Sequence, residues 1–145
     1  MKPEDCLTRR ILSVDYGKRF TGIAVCDELH IVVRPVTTLK TSETDFFDNF
    51  RKIIDIEKPA LIVIGAPLRN DEKNQKLIDE IYIFAEKVKE NLMLPVEIVD
   101  EAFSSKLAVR AMIDSGRKKH FRRNKDNLNK FAAAVILEEF LKIYG

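Results

Sequence analysis

The stretch Ile11-Leu-Ser-Val-Asp15-Tyr-Gly17-Lys-Arg-Phe-Thr-Gly22-Ile-Ala-Val-Cys26 sets the topology of this chain. Residues 11–15 form a mostly apolar run that ends on a carboxylate, the signature of a buried strand closing at a sheet edge. Gly17 and Gly22 bracket a turn, and Ile23-Ala-Val-Cys26 continues as a second strand. The connection is too short for a crossover, so the two strands are expected to pair antiparallel. A third strand follows over residues 30–39, rich in Ile, Val and Thr. Pro35 interrupts it, which suits an edge strand, where a missing N–H costs no ladder bond.

Downstream the periodicity changes. Thr41 or Ser42 is placed to cap a helix running to about Glu57, with Phe46, Phe47, Phe50, Ile53 and Ile54 on one face. Leu61-Ile-Val-Ile-Gly65 is a continuous apolar run of the kind found in strands covered on both faces. An amphipathic helix is predicted from about Asp71 to Asn91, its buried side marked by Leu77, Ile81, Phe84 and Val88. Pro95-Val-Glu-Ile-Val-Asp100 reads as a fifth strand, and Ser104 as the cap of a short helix closing at Gly116. A last helix spans about 127–143, with Leu128, Phe131, Ala132, Val135 and Leu137 as core candidates. The order β-β-β-α-β-α-β-α-α predicts an α/β fold. Three antiparallel strands lead into right-handed parallel crossovers, giving a mixed five-stranded sheet flanked by helices on both faces. Residues 1–145 are expected to form one domain, since no repeat, linker or low-complexity segment interrupts them.

Composition narrows the function classes. No apolar stretch approaches the length that spans a bilayer, and no signal-peptide pattern opens the chain, so no membrane partner is expected. Cys6 and Cys26 lack the paired spacing of a zinc site or a disulfide framework, which implies reduced thiols and a cytoplasmic setting. The net charge is only +2, but its distribution is uneven. Arg117, Lys118, Lys119, Arg122, Arg123 and Lys125 crowd one stretch around His120 and Phe121, whereas residues 71–101 carry an acidic excess. A concentrated basic patch on a nearly neutral chain points to a specific anionic partner. Lysines and arginines of this kind neutralise phosphates without reading sequence.

The candidate chemistry lies at the strand ends. Asp15 closes the first strand, Gly65-Ala-Pro-Leu68 follows the fourth, and Asp100-Glu101 closes the fifth. Any one of these is a weak signal, because Asp at a strand end is a common turn former. Together they gather carboxylates at the edge where an open α/β sheet binds its ligands. Converging carboxylates favour hard cations such as Mg²⁺ or Mn²⁺, and such ions activate water against phosphodiesters.

These same residues resemble the motifs of the YqgF/RuvX family. Val14-Asp15-Tyr-Gly17-Lys-Arg19 with Gly22-Ile-Ala-Val25 and Asp27 is similar to its opening motif, and Ile64-Gly65-Ala-Pro67-Leu68 to its second. Val99-Asp100-Glu101 with Ser104-Ser105 resembles the third, and Asn124-Lys125, Ala132-Ala133 and Ile136-Leu137-Glu138 the last. The resemblance implies a ribonuclease-H-like fold. It implies a nuclease acting on precursor 16S ribosomal RNA at its 5′ end, or alternatively a resolvase of Holliday junctions, with Mg²⁺ or Mn²⁺ as cofactor. It places Asp15 and Glu101 at acidic catalytic positions that would hold the metal. At the family's third acidic position, an Asp after Val, this chain has Leu128-Asn129. Asn offers a carbonyl oxygen without charge. Asp126, three residues earlier and about one helical turn away, is the candidate substitute. Ala102 stands where the family commonly has Arg, and Phe20 where a basic residue is frequent. Lys18, Arg19, Lys118, Lys119, Arg122, Arg123 and Lys125 are the candidate nucleic-acid contacts. The expected partner is precursor rRNA or branched DNA, bound by a monomer or a weak homodimer. Two other readings remain open. One is a binding factor on the same scaffold. The other is an actin-like phosphatase or kinase, which needs two such domains where this chain has room for one.

Overall fold

The computed structural model describes residues 9–68, 71–101 and 125–144. Its elements are β1 (Ile11–Asp15), β2 (Phe20–Cys26), β3 (Val33–Lys40), α1 (Phe46–Glu57), β4 (Leu61–Ala66), α2 (Asp71–Leu92), β5 (Val96–Asp100) and α3 (Lys125–Tyr144). The predicted helix over 104–116 lies outside the described residues. The strands form one mixed sheet in the order β3-β2-β1-β4-β5, with β1 antiparallel to β2 and parallel to β4. β5 is parallel to β4, and β3 antiparallel to β2. The expected five-stranded architecture is therefore present, with β3 at the edge where Pro35 demanded it. Opposite Ala24 the register of β3 slips by one residue, so that Val36 has no partner and Pro35 falls at the bulge.

Three boundaries differ from the sequence reading. β2 begins at Phe20, so Gly22 lies inside the strand, paired with Asp15, and does not close the turn. β3 begins at Val33 because residues 27–32 form a loop held by Asp27, whose Oδ1 accepts the N–H groups of Ile31 (2.7 Å) and Val32 (3.1 Å). Within that loop His30 takes a left-handed conformation, φ 60°. α1 starts at Phe46, not after Thr41 or Ser42, and Asp45 at its N-cap makes no side-chain bond. Thr41 is committed elsewhere: its hydroxyl donates to the Gly17 carbonyl at 2.7 Å and meets the Thr21 hydroxyl at 2.6 Å.

Strand alternation sorts the core into two layers. Leu12, Val14, Ile23, Val25, Ile62 and Ile64 face α1 and α2, packing on Phe46, Phe50, Ile81, Phe84 and Val88. Ile11, Cys26, Leu61 and Val63 face α3, against Ile136, Leu137, Phe140 and Leu141. α3 sits unusually close to the sheet because small residues line the contact. Ala24 meets Ala133 and Ala134, and the buried Ser13 hydroxyl donates to the Ala133 carbonyl at 2.6 Å. A Cβ at Gly22 would stand 2.0 Å from the Asn129 carbonyl oxygen and 2.7 Å from the Lys130 nitrogen. That space is already filled by backbone, which cannot rotate away.

At the opposite edge of the sheet Glu57 is only 7% exposed, and its carboxylate accepts from Arg10 (2.7 Å) and from Arg34 through both oxygens. Two guanidinium partners compensate the desolvation of that charge. Among the described residues no helix is long and apolar enough to cross a membrane.

Overpacking against backbone costs about 1–3 kcal/mol, occasionally more. Gly22→Ala is expected at or above the top of that range in urea denaturation, because α3 must lift from the sheet. A Gly22→Ala variant with unchanged midpoint and slope would mean that α3 does not rest on β2.

Candidate active site

β1, β4 and β5 run parallel, so their C-terminal ends share one edge of the sheet. Alternation then selects which side chains meet there. Ser13 faces α3, and Asp15, two residues on, faces the same way. On β5, Val99 packs into the layer beneath α3, so Glu101 follows it to that side, whereas Asp100 falls on the side of α1 and α2. The Glu101 N–H donates to the Ala66 carbonyl at 2.9 Å, which extends the β4–β5 ladder one residue and keeps Glu101 in register. The Asp100-Glu101 pair is thus divided, and only Glu101 shares a face with Asp15.

Gly65 provides the room. A Cβ there would lie 2.9 Å from the Glu101 Cβ and 2.6 Å from the Ile136 Cδ1. Its bare backbone lets Glu101 and α3 approach one another over the end of β4. Asn129 enters from the other side, its backbone seated on Gly22, which is the register partner of Asp15. α3 runs antiparallel to β1, from Asn129 at this edge to Leu141 near Ile11, so its N-terminal end lies at the site. Asp15, Glu101 and Asn129 are all half-buried. Burial pushes the Asp15 carboxyl up from 3.8 to about 7, and the negative charge of Glu101 adds to the rise.

Other sequence candidates fall elsewhere. Lys18 pairs with Glu80 of α2 at 3.2 Å, on the side of the sheet away from Asp15. The exposed Arg19 guanidinium lies 5.9 Å from the centre of the Phe20 ring. The side chains of Lys125 and Asp126, and all of Lys118, Lys119, Arg122 and Arg123, lie outside the described residues.

The donor set suits a hard divalent cation. Among the described residues no group of three or more His, Cys, Asp or Glu side chains converges. Mg²⁺ commonly takes one or two protein carboxylates and completes its octahedron with water and substrate phosphate. The arrangement of Asp15 and Glu101 fits that mode. Among the described residues no histidine or cysteine joins them, as a zinc site would need.

Comparison with known proteins gives the family and the fold. The family model described as "RuvX: Holliday junction resolvase" matches residues 9–143. The chain belongs to the RuvX family. A Bacteroides fragilis protein named "Putative pre-16S rRNA nuclease" is 38% identical over 135 residues, 92% of this chain and 96% of its own length. A Christiangramia forsetii protein of the same name is 39% identical over 140 residues, 91% of this chain and 97% of that one. Among solved structures, Thermus thermophilus RuvC in complex with a Holliday junction substrate matches with a TM-score of 0.55 at 16% identity, covering 94% of this chain and 96% of that one. Fowlpox virus resolvase matches at a TM-score of 0.50 and 14% identity, over 94% of this chain and 99% of that chain. The ribonuclease-H-like fold is therefore established for this RuvX chain. The structure adds Gly22, Gly65 and Ser13, which the sequence reading used only as punctuation or motif letters. Their signal was present, since small residues inside otherwise bulky buried strands mark a close neighbour.

The raised Asp15 pKa has a consequence for stability. Between about pH 4 and 7 the native state binds more protons than the unfolded chain, so ionisation of Asp15 lowers stability as pH rises. In the presence of chelator, Asp15→Asn should melt higher than wild type at pH 8, with the gain fading toward pH 4. A gain independent of pH would show that Asp15 is not the group being relieved.

Proposed function

We propose that this RuvX chain is a metal-dependent endonuclease of structured nucleic acid, acting in maturation of the 5′ end of precursor 16S rRNA. The observation that carries the reading is the shared face of Asp15 and Glu101 at the ends of β1 and β5, beside the N-terminal end of α3. The names of the relatives supply the substrate class. Asp15 and Glu101 would hold Mg²⁺ or Mn²⁺, which when bound activates water and offsets charge on the phosphodiester. Asp15 must shed its proton to act as a ligand, and cation binding favours that loss by cancelling the repulsion from Glu101. Asn129 contributes a neutral carbonyl oxygen at most, leaving Asp126 as the candidate third carboxylate. Lys18, Arg19, Lys118, Lys119, Arg122, Arg123 and Lys125 would contact phosphates. A precursor rRNA is a cytoplasmic substrate, and a monomer suffices to cut it.

A resolvase reading is favoured by the description of the family. It requires a dimer, because a four-way junction is cut at two symmetric places. Precursor 16S rRNA and a four-way DNA junction, incubated side by side with Mg²⁺ and Mn²⁺, separate the two. The RNA should be cut. Asp15→Asn should slow cutting by at least ~100-fold, beyond the loss typical of an outer-shell partner. Cutting of the junction alone would reverse the assignment, and cutting of neither would make the chain a binding factor.

The third ligand position is tested separately. With only two charged ligands, metal affinity should be weak, and Asn129→Asp should raise activity at low metal concentration. If Asp126 already serves, that variant gains little, whereas Asp126→Asn loses most activity. Activity unchanged in both variants would leave the site with two protein carboxylates.

The basic stretch makes its own forecast. Replacing Arg122 and Arg123 together by Ala should weaken binding of all sequences alike. It should also reduce the slope of log affinity against log salt by about one unit per lost phosphate contact. An unchanged affinity and slope would reduce the stretch to a solvated connection.

A further inference from the structure

On the other side of the sheet from the carboxylates, the β1–β2 turn, the start of α1 and the middle of α2 enclose a cavity of about 330 Å³. That is the lower end of the range for small-molecule sites, which runs from ~300 to ~1,000 Å³. Its walls combine aromatic rings with charged ends: Tyr16, Phe47 and Phe84 below, Lys18, Glu80 and Lys87 around the rim. Tyr16 leans on Phe84 with ring centres 4.5 Å apart, and Phe47 stands edge-on to the buried Phe46 at 5.1 Å. The rings are thus braced from behind while Tyr16 and Phe47 stay only half-buried. The Thr41 hydroxyl ties down the turn that carries Tyr16 and Lys18 through its bond to the Gly17 carbonyl.

The rim is cationic. Lys18 is neutralised by Glu80 at 3.2 Å, while Lys87 is exposed and has no ion pair among the described residues. An apolar floor of fixed aromatic rings below a net positive rim suits a planar ring joined to an anion, which is the chemistry of a nucleotide. Every base offers a π-face to such rings, and phosphate pairs with lysine. Position decides the source. Tyr16 is the chain neighbour of Asp15, with Cα atoms ~3.8 Å apart. The cavity and the carboxylates therefore open on opposite faces of the same end of β1, and a strand that passes over that end reaches both.

We propose that this cavity takes one unpaired nucleotide of the substrate, its base stacked on Tyr16 and Phe47 and its phosphate paired with Lys87. The proposal rests on the nuclease reading above and adds a binding subsite to it. It gives the chain a reason to prefer strands with a base free to leave the stack.

The test needs no cleavage and is run in chelator on the full chain. Adenosine 5′-monophosphate should shift the NMR ring signals of Tyr16 and Phe47, whereas ribose 5-phosphate, which lacks the base, should leave them in place. The affinity of a short single-stranded oligoribonucleotide should fall roughly 5- to 150-fold in Phe47→Leu, the equivalent of one lost base stack. Lys87→Gln, a surface change that cannot unfold the chain, should weaken adenosine 5′-monophosphate binding and flatten its salt dependence. Ring signals unmoved by adenosine 5′-monophosphate, or moved equally by ribose 5-phosphate, would overturn the proposal. RNA cleaved normally without nucleotide binding removes the subsite alone. Nucleotide binding without cleavage of any substrate removes the nuclease reading and leaves the subsite.

Discussion

The seating of α3 on the sheet is the constraint from which the site follows. Packed secondary elements normally stand ~8–10 Å apart, held off by their side chains. Here Gly22 brings the backbone of Asn129 against β2, Ser13 donates into the helix at Ala133, and Gly65 receives Ile136. Three small positions on three adjacent strands make one shallow bed, and Ala133 and Ala134 are the complementary surface. The depth of that bed determines how near the start of α3 comes to the end of β1. It also leaves Glu101 a place beside the helix and not beneath it.

That geometry carries an electrostatic cost. Burial of the Asp15 carboxyl is the main reason it is pushed up to about 7, and the negative charge of Glu101 on the same face adds to the rise. A protein selected for stability alone would place an apolar or hydrogen-bonding residue there. A carboxyl raised this far at a strand end, as Asp15 is, is a mark of functional sites. The contrast with Glu57 is instructive. That carboxylate is deeply buried at the far edge of the sheet, yet two arginines meet it and no vacancy for a cation arises. The same residue class is paired with arginines at one end of the sheet and gathered with a second carboxylate at the other.

The β1–β2 turn joins both sides of the sheet. Asp15 points toward α3 and Tyr16 toward α2, so a single strand end feeds the carboxylate site and the aromatic cavity. Thr41, just past β3, and Thr21 of β2 hold that turn, so the hydroxyl expected to cap α1 is spent on the turn instead.

Much of this was legible in the linear chain. The apolar runs at 11–15 and 61–65, the helical spacing of 71–91 and the short β1–β2 connection specified strand types and their parallel or antiparallel sense, because those follow from local periodicity and chain reach. Pro35 named the edge strand, since a missing N–H cannot sit in a central ladder. Asp15 and Glu101 were recognisable as strand-end carboxylates within family-like motifs. What the sequence could not decide was parity and depth. Whether Asp100 or Glu101 joins Asp15 depends on which face Val99 packs, and the role of Gly22 depends on a helix more than 100 residues away. Both are settled by packing between distant segments. Local propensity is blind to that, and it is the reason only the packed structure puts Asp15 and Glu101 on one face.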